Sequence, residues 1–135
     1  GRCQYIGDSP AIMVDVAHNP HATGYLLSQI RKLDYDRLYL VVGMLKDKDI
    51  RSSLADFSHL NGHWMLGGLD VPRGATAADI KSVLGEQQKV LEFSTVCQAF
   101  EKAKALAHEQ DLIVVFGSFF TVSNILKLSN KGNNE

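Results

Sequence analysis

Short runs of β-branched and apolar residues alternate along the chain with segments whose apolar residues recur at helical spacing. Cys3–Ile6 reads as a short strand, and the turn Gly7-Asp8-Ser9-Pro10 follows it. Ala11–Val14 reads as a buried strand ending at Asp15. Asn19-Pro20 then opens a helix, with Asn as N-cap and Pro at the first helical position, and Ala22, Leu26, Ile30 and Leu33 share one face of it. Leu38–Val42 is a second buried strand closed by Gly43. Asp49 caps a helix bearing Ile50, Leu54 and Phe57. Trp64–Leu66 is a short strand running into Gly67-Gly68. Thr76 caps a helix carrying Ile80, Val83 and Leu84, and Val90–Phe93 reads as an edge strand. From Thr95 to His108, Val96, Ala99, Phe100, Ala103 and Ala107 form one stripe. Leu112–Phe116 is the strongest strand pattern. After Gly117-Ser118 a last helix holds Phe119, Val122 and Leu126, and the polar tail 129–135 is expected to be disordered.

Strands alternating with helices imply crossover connections and a mostly parallel sheet covered on both faces. Near-continuous apolar strands fit this better than a sheet with one wet face. The opening strand, joined to the next by a tight turn, is expected to run antiparallel at an edge. The expected fold is a Rossmann-like three-layer α/β domain over residues 1–128.

Composition narrows the function classes. With 14 basic and 15 acidic residues the formal net charge is −1, so no basic excess is available to neutralise a phosphate backbone, and nucleic acid is not an expected partner. No apolar run approaches the ~20 residues needed to span a bilayer, so no membrane partner is expected. Cys3 and Cys97 form no CxxC pair and read as reduced thiols of a cytoplasmic protein. The opening Gly1-Arg2-Cys3-Gln4 lacks an initiator Met and reads as an excised piece. The complete α/β pattern leads us to expect a monomer.

In open α/β sheets ligands bind beyond the carboxyl ends of the strands. Three polar sets follow strands here: Asp15-Val16-Ala17-His18-Asn19-Pro20, Gly43-Met44-Leu45-Lys46-Asp47-Lys48-Asp49 and Gly117-Ser118-Phe119-Phe120. All three are expected at one edge. His18 and Asn19 at a helix N-terminus suit an anion such as a phosphate. Asp15 can accept hydrogen bonds from sugar hydroxyls. Lys48 offers a mobile charge for phosphate or carboxylate, and Ser118 can cradle a carboxylate. Each group also has a plainer reading, as a turn cap, a satisfied histidine, a solvated charged loop or a helix cap. Asp15, His18 and His21 are spaced as metal ligands, but no further ligand is evident and we expect no metal here. GxGxxG, P-loop and GxSxG motifs are all missing, as is a plausible nucleophile triad, so no catalytic residue is assigned to this chain.

Arg2, the Asp15–Pro20 block, the Gly43–Asp49 block, Pro72-Arg73-Gly74-Ala75 and Gly117-Ser118-Phe119 occur in an order and spacing that resembles the C-terminal domain of the bacterial bifunctional dihydrofolate synthase/folylpolyglutamate synthases, members of the Mur ligase superfamily. The resemblance covers nearly the whole chain. It implies an ATP-dependent amide ligase in which ATP phosphorylates a carboxylate of dihydropteroate or folate and the L-glutamate amine attacks the acyl phosphate. It implies ATP and Mg2+ as cofactors, the Mg2+ ligands and P-loop lying in a separate N-terminal domain. By the same resemblance Arg2 and Asp15 contact ATP, His18 lies near the phosphates, and Lys48 and Ser118 lie on the glutamate side. Arg73 lines the cleft without an assigned role. Val16 stands where the family block has Gly. On this reading the isolated chain has no ligase activity. Two alternatives remain: the C-terminal domain of a cell-wall Mur ligase, and a non-catalytic nucleotide-binding module.

Overall fold

The computed structural model describes residues 3–46, 49–86 and 89–133, with side chains described through Ser129. Six strands form one sheet in the order β1-β2-β6-β3-β4-β5. Strand β1 (Gln4–Asp8) pairs antiparallel with β2 (Ala11–Asp15), with a register shift between Tyr5 and Gly7, and runs two residues past the expected Ile6. The other pairs are parallel: β2 with β6 (Leu112–Phe116), β6 with β3 (Leu38–Val42), β3 with β4 (His63–Gly67), and β4 with β5 (Lys89–Phe93). The antiparallel opening strand and the β5 edge are as the sequence implies.

The alternation of strand side chains builds two cores. Met13, Leu40, Val114 and Phe116 face one side, against Leu26, Leu27 and Ile30 of α1 (Pro20–Ile30), Leu54 of α2 (Ile50–Leu54) and Ile80 of α3 (Ala77–Leu84). Val14, Val41, Ile113 and Val115 face the other, against Ala99, Phe100 and Ala103 of α4 (Val96–Leu106) and Ile125 of α5 (Phe119–Asn133). β3 and β6 are buried along their full length, as strands covered on both faces must be.

The helix starts match the sequence. Asn19, Asp49, Thr76 and Thr95 each accept a backbone N–H from the first turn, and Thr76 and Thr95 form reciprocal capping boxes with Asp79 and Gln98. The helix ends differ more: α1 stops at Ile30, short of Leu33, and α4 at Leu106, short of Ala107 and His108. The segment carrying Ile50, Leu54 and Phe57 is not one α-helix: α2 gives way to a 3-10 helix over Ala55–Leu60, stopped by Asn61 in the left-handed region at φ 53. Phe57 still reaches the core, stacking on Phe116 at 5.0 Å between ring centroids. Helical backbone also continues through Asn133, into the tail expected to be disordered. Once a helix is nucleated each further residue adds a bond at little cost, which a polar sequence does not forbid.

At the opposite end of the sheet from the strand C-termini, His63 stacks on Tyr39 at 5.1 Å. Burial pushes its pKa below the ordinary histidine value, the charges of Lys89 and Arg37 add to the fall, and Asp111 opposes it. The unfolded chain therefore takes up this proton first as pH drops below about 6.5, and stability is lost over that window. The melting temperature is expected to fall between about pH 7 and 5, and to fall less in His63→Gln. Equal slopes in the two proteins would remove His63 as the cause. The capping carboxylates Asp49 and Asp79, held low by hydrogen bonds from Ser52 and Thr76 respectively, act only at more acid pH.

Candidate functional site

The carboxyl ends of β2, β6 and β3 are adjacent, with Asp15 and Val42 both in register with Phe116. The segments that leave them therefore start side by side at one edge of the sheet. Two of the expected site residues, Arg2 and Lys48, lie outside the described residues.

Asp15 is not the open carboxylate that a strand end suggests. It is only 2% exposed. One oxygen accepts the Ala17 N–H at 2.8 Å, and the other accepts the Cys3 N–H at 3.1 Å and the Cys3 thiol at 3.4 Å. The carboxylate thus shapes the turn after β2 and ties the start of the chain to it. Val16 packs toward the α4–α5 core. Cys3 and Cys97 form no disulfide.

His18 is half-buried, and its Nδ1 lies 2.9 Å from the Val16 carbonyl oxygen. A carbonyl only accepts, so Nδ1 carries a proton, and Nε2 is the acceptor of the neutral ring or a second donor of the charged one. Asn19 is exposed, and its Oδ1 accepts the Ala22 N–H at 2.9 Å while Pro20 opens the helix. The positive end of the α1 dipole therefore emerges beside His18.

Ser118 is also buried, at 3% exposure. Its hydroxyl accepts the Thr121 N–H at 3.0 Å and lies 3.2 Å from the Thr121 hydroxyl. This is the helix-cap reading of Gly117-Ser118, with α5 as the helix capped. Thr121, which the sequence reading passed over, is fully buried and donates to the Gly43 carbonyl at 2.8 Å. A hydroxyl three residues after Ser118 on an otherwise apolar helix face was its only signal.

The loop after β3 is stitched on its other flank to the loop before α3. Ala75 N–H donates to Met44 O at 2.8 Å, Lys46 N–H to Arg73 O at 2.7 Å, and Leu45 and Gly74 form an antiparallel bridge. Arg73 itself is exposed, and the loop uses its carbonyl. Phe119 and Phe120 stand exposed at the start of α5. Among the described residues no group of three His, Cys, Asp or Glu side chains is placed to hold a metal ion. No helix among them is long and apolar enough to cross a membrane.

This geometry has known counterparts. The dihydrofolate synthase/folylpolyglutamate synthase of Escherichia coli (strain K12) is 40% identical over 129 residues, which make up 95% of this chain and 30% of that protein. E. coli FolC in complex with ADP, without folate substrate, superposes with a TM-score of 0.92 at 38% identity, over 100% of this chain and 32% of that one. A bifunctional folylpolyglutamate synthase/dihydrofolate synthase with Mn, AMPPNP and L-glutamate bound gives 0.87 at 38% identity, over 95% and 31%. The chain spans less than a third of the length of these curated relatives. The family model for the Mur ligase, glutamate ligase domain matches residues 1–119, which takes in every strand of the sheet, and to that family the chain belongs.

Proposed function

We propose that residues 1–128 act as the C-terminal domain of a cytoplasmic, monomeric ATP-dependent ligase that joins L-glutamate to dihydropteroate and to folates. The departure of three polar loops from adjacent strand ends carries the reading, because an amide ligase must hold a nucleotide and an amino acid close together. The likeness to E. coli dihydrofolate synthase/folylpolyglutamate synthase over 95% of the chain supports it. So do the ADP, AMPPNP and L-glutamate named for the similar structures.

In this reading ATP supplies the phosphoryl group that activates the acceptor carboxylate. His18 and Asn19, at the positive end of α1, and Arg2 face the nucleotide. Asp15 serves that side through the turn it holds. Lys48 and Ser118 face the amino acid. The Mg2+ ligands lie in the other part of the protein, as the family resemblance implies. Dividing the binding groups between two domains lets closure assemble the site only around bound ligands and keeps water out.

The test is an ATP-dependent glutamate incorporation assay. The full-length protein, given dihydropteroate or a folate, should make the amide, and the isolated 135-residue chain should not. Turnover by the isolated chain close to that of the full protein would overturn the division of labour. No incorporation by the full protein with either acceptor would overturn the ligase itself.

A further inference from the structure

We propose that Phe119 and Phe120 form an aromatic contact for the benzoyl ring of dihydropteroate, and that this contact sets the preference between the two acceptors of the ligase. The inference rests on the ligase reading above and names the substrate group that one part of its site takes.

The two rings are surplus to the fold. Helix α5 packs on the sheet through the buried Val122 and Ile125, whereas Phe119 and Phe120 are 69% and 43% exposed. Among the described residues they are the one adjacent pair of exposed large apolar side chains. Their ring centroids lie 6.3 Å apart with the planes at 77°, an edge-to-face contact. Aromatic clusters grow by this geometry, so a third ring can join at either exposed member.

Position decides which ring that is. Strand β6 lies between β2 and β3, and the pair opens α5 just past its carboxyl end. His18 and Asn19 follow β2 on one flank, and Ser118 directly precedes the pair. On the ligase reading the nucleotide lies on the His18 side and the amino acid at Ser118. The acceptor carboxylate must meet both: its oxygen takes the phosphoryl group, and its carbon is then attacked by the L-glutamate amine as phosphate leaves. Whatever carries that carboxylate therefore lies beside Phe119 and Phe120. In dihydropteroate the carboxylate is bonded directly to a benzene ring. In a folate it stands at the far end of a glutamyl side chain, and an amide and that chain hold the ring away from the reaction centre. Only the first acceptor brings a ring to the pair.

The discriminating variants are Phe119→Ala and Phe120→Ala, which remove a ring, and Phe119→Tyr, which keeps one. They should be measured in the full-length protein with each acceptor in turn. In Phe119→Ala the KM for dihydropteroate should rise roughly tenfold, the loss of one ring contact expressed in binding, while the KM values for a monoglutamyl folate, ATP and L-glutamate stay within about twofold. Phe120→Ala should act in the same direction, and Phe119→Tyr should keep the dihydropteroate KM near wild type. Folded alanine variants with an unchanged dihydropteroate KM overturn the inference and leave the ligase reading standing. An equal rise for both acceptors, or no rescue by tyrosine, assigns the pair to contact with the rest of the protein and also overturns it. Should Phe119→Ala fail to fold, Phe119→Leu replaces it with the same expected split. A wild-type protein that extends folates and does not use dihydropteroate overturns the inference alone. If the wild-type protein incorporates no glutamate with either acceptor, the ligase reading fails and the inference falls with it.

Discussion

Gly117→Ala lowers the stability of this domain by about 3 kcal/mol, a fall of roughly 10 °C in melting temperature. Two causes add. Gly117 has φ 124, in a region that side-chain-bearing residues rarely enter. A methyl group there would also overlap the carbonyl oxygen of Gly43 and lie 2.9 Å from Met44 Cγ. That oxygen cannot retreat without breaking its bond to Thr121, so the clash falls on the join between β6 and β3. Gly24 provides the control. It lies in α1 with nothing within 4 Å of a built methyl, so Gly24→Ala should be neutral or stabilise by about 0.5–1 kcal/mol. Thermal melts of the two variants make the comparison. Equal, small shifts would show that the β6–α5 turn relaxes freely.

Asp15→Ala should cost about 2–4 kcal/mol of stability. An exposed strand-end carboxylate would have lost nucleotide affinity and little else. The buried carboxylate described here instead leaves the Ala17 N–H, the Cys3 N–H and the Cys3 thiol without their acceptor. Asp15→Asn keeps one acceptor oxygen and should lose less than half as much. A normal melt for Asp15→Ala would mean that the turn after β2 holds itself. In the full-length protein any weakening of ATP use in Asp15→Asn should follow the displacement of His18 and Asn19, whose loop Asp15 shapes.

These two residues mark where sequence reading succeeds and where it stops. Strand and helix placement was legible because each element states its own rule locally. The five apolar residues of Leu112–Phe116 have no polar face, so they demanded cover on both sides. Asn19-Pro20 and Thr76 announced their helices within four residues. The adjacency of the strand ends from which the three polar sets leave followed from strand direction and order. Partners across distance were not legible. Nothing local joins Cys3 to Asp15 or Gly43 to Thr121, so Asp15 read as an open ligand group and Thr121 as ordinary helix. Ser118 shows the same limit: its place after β6, at the start of a helix, is legible locally, but its burial against Thr121, which reaches the loop after β3, is not. The 3-10 winding after Leu54 was hidden because Ile50, Leu54 and Phe57 satisfy either helix type.

The strand order has a consequence for how the chain is made. The β1–β2 hairpin and the β3–β4–β5 half-sheet have no hydrogen bonds to each other, and β6, late in the sequence, joins them. On a ribosome the chain before Leu112 would therefore emerge with its sheet in two pieces, the inner edges of β2 and β3 bare. Such long-range closure is slow, and bare apolar edges are prone to association. The Leu112–Phe116 strand is the keystone in time as well as in space: until it is released, the nascent polypeptide has the parts of a sheet and no sheet, and chaperone demand should peak just before that point.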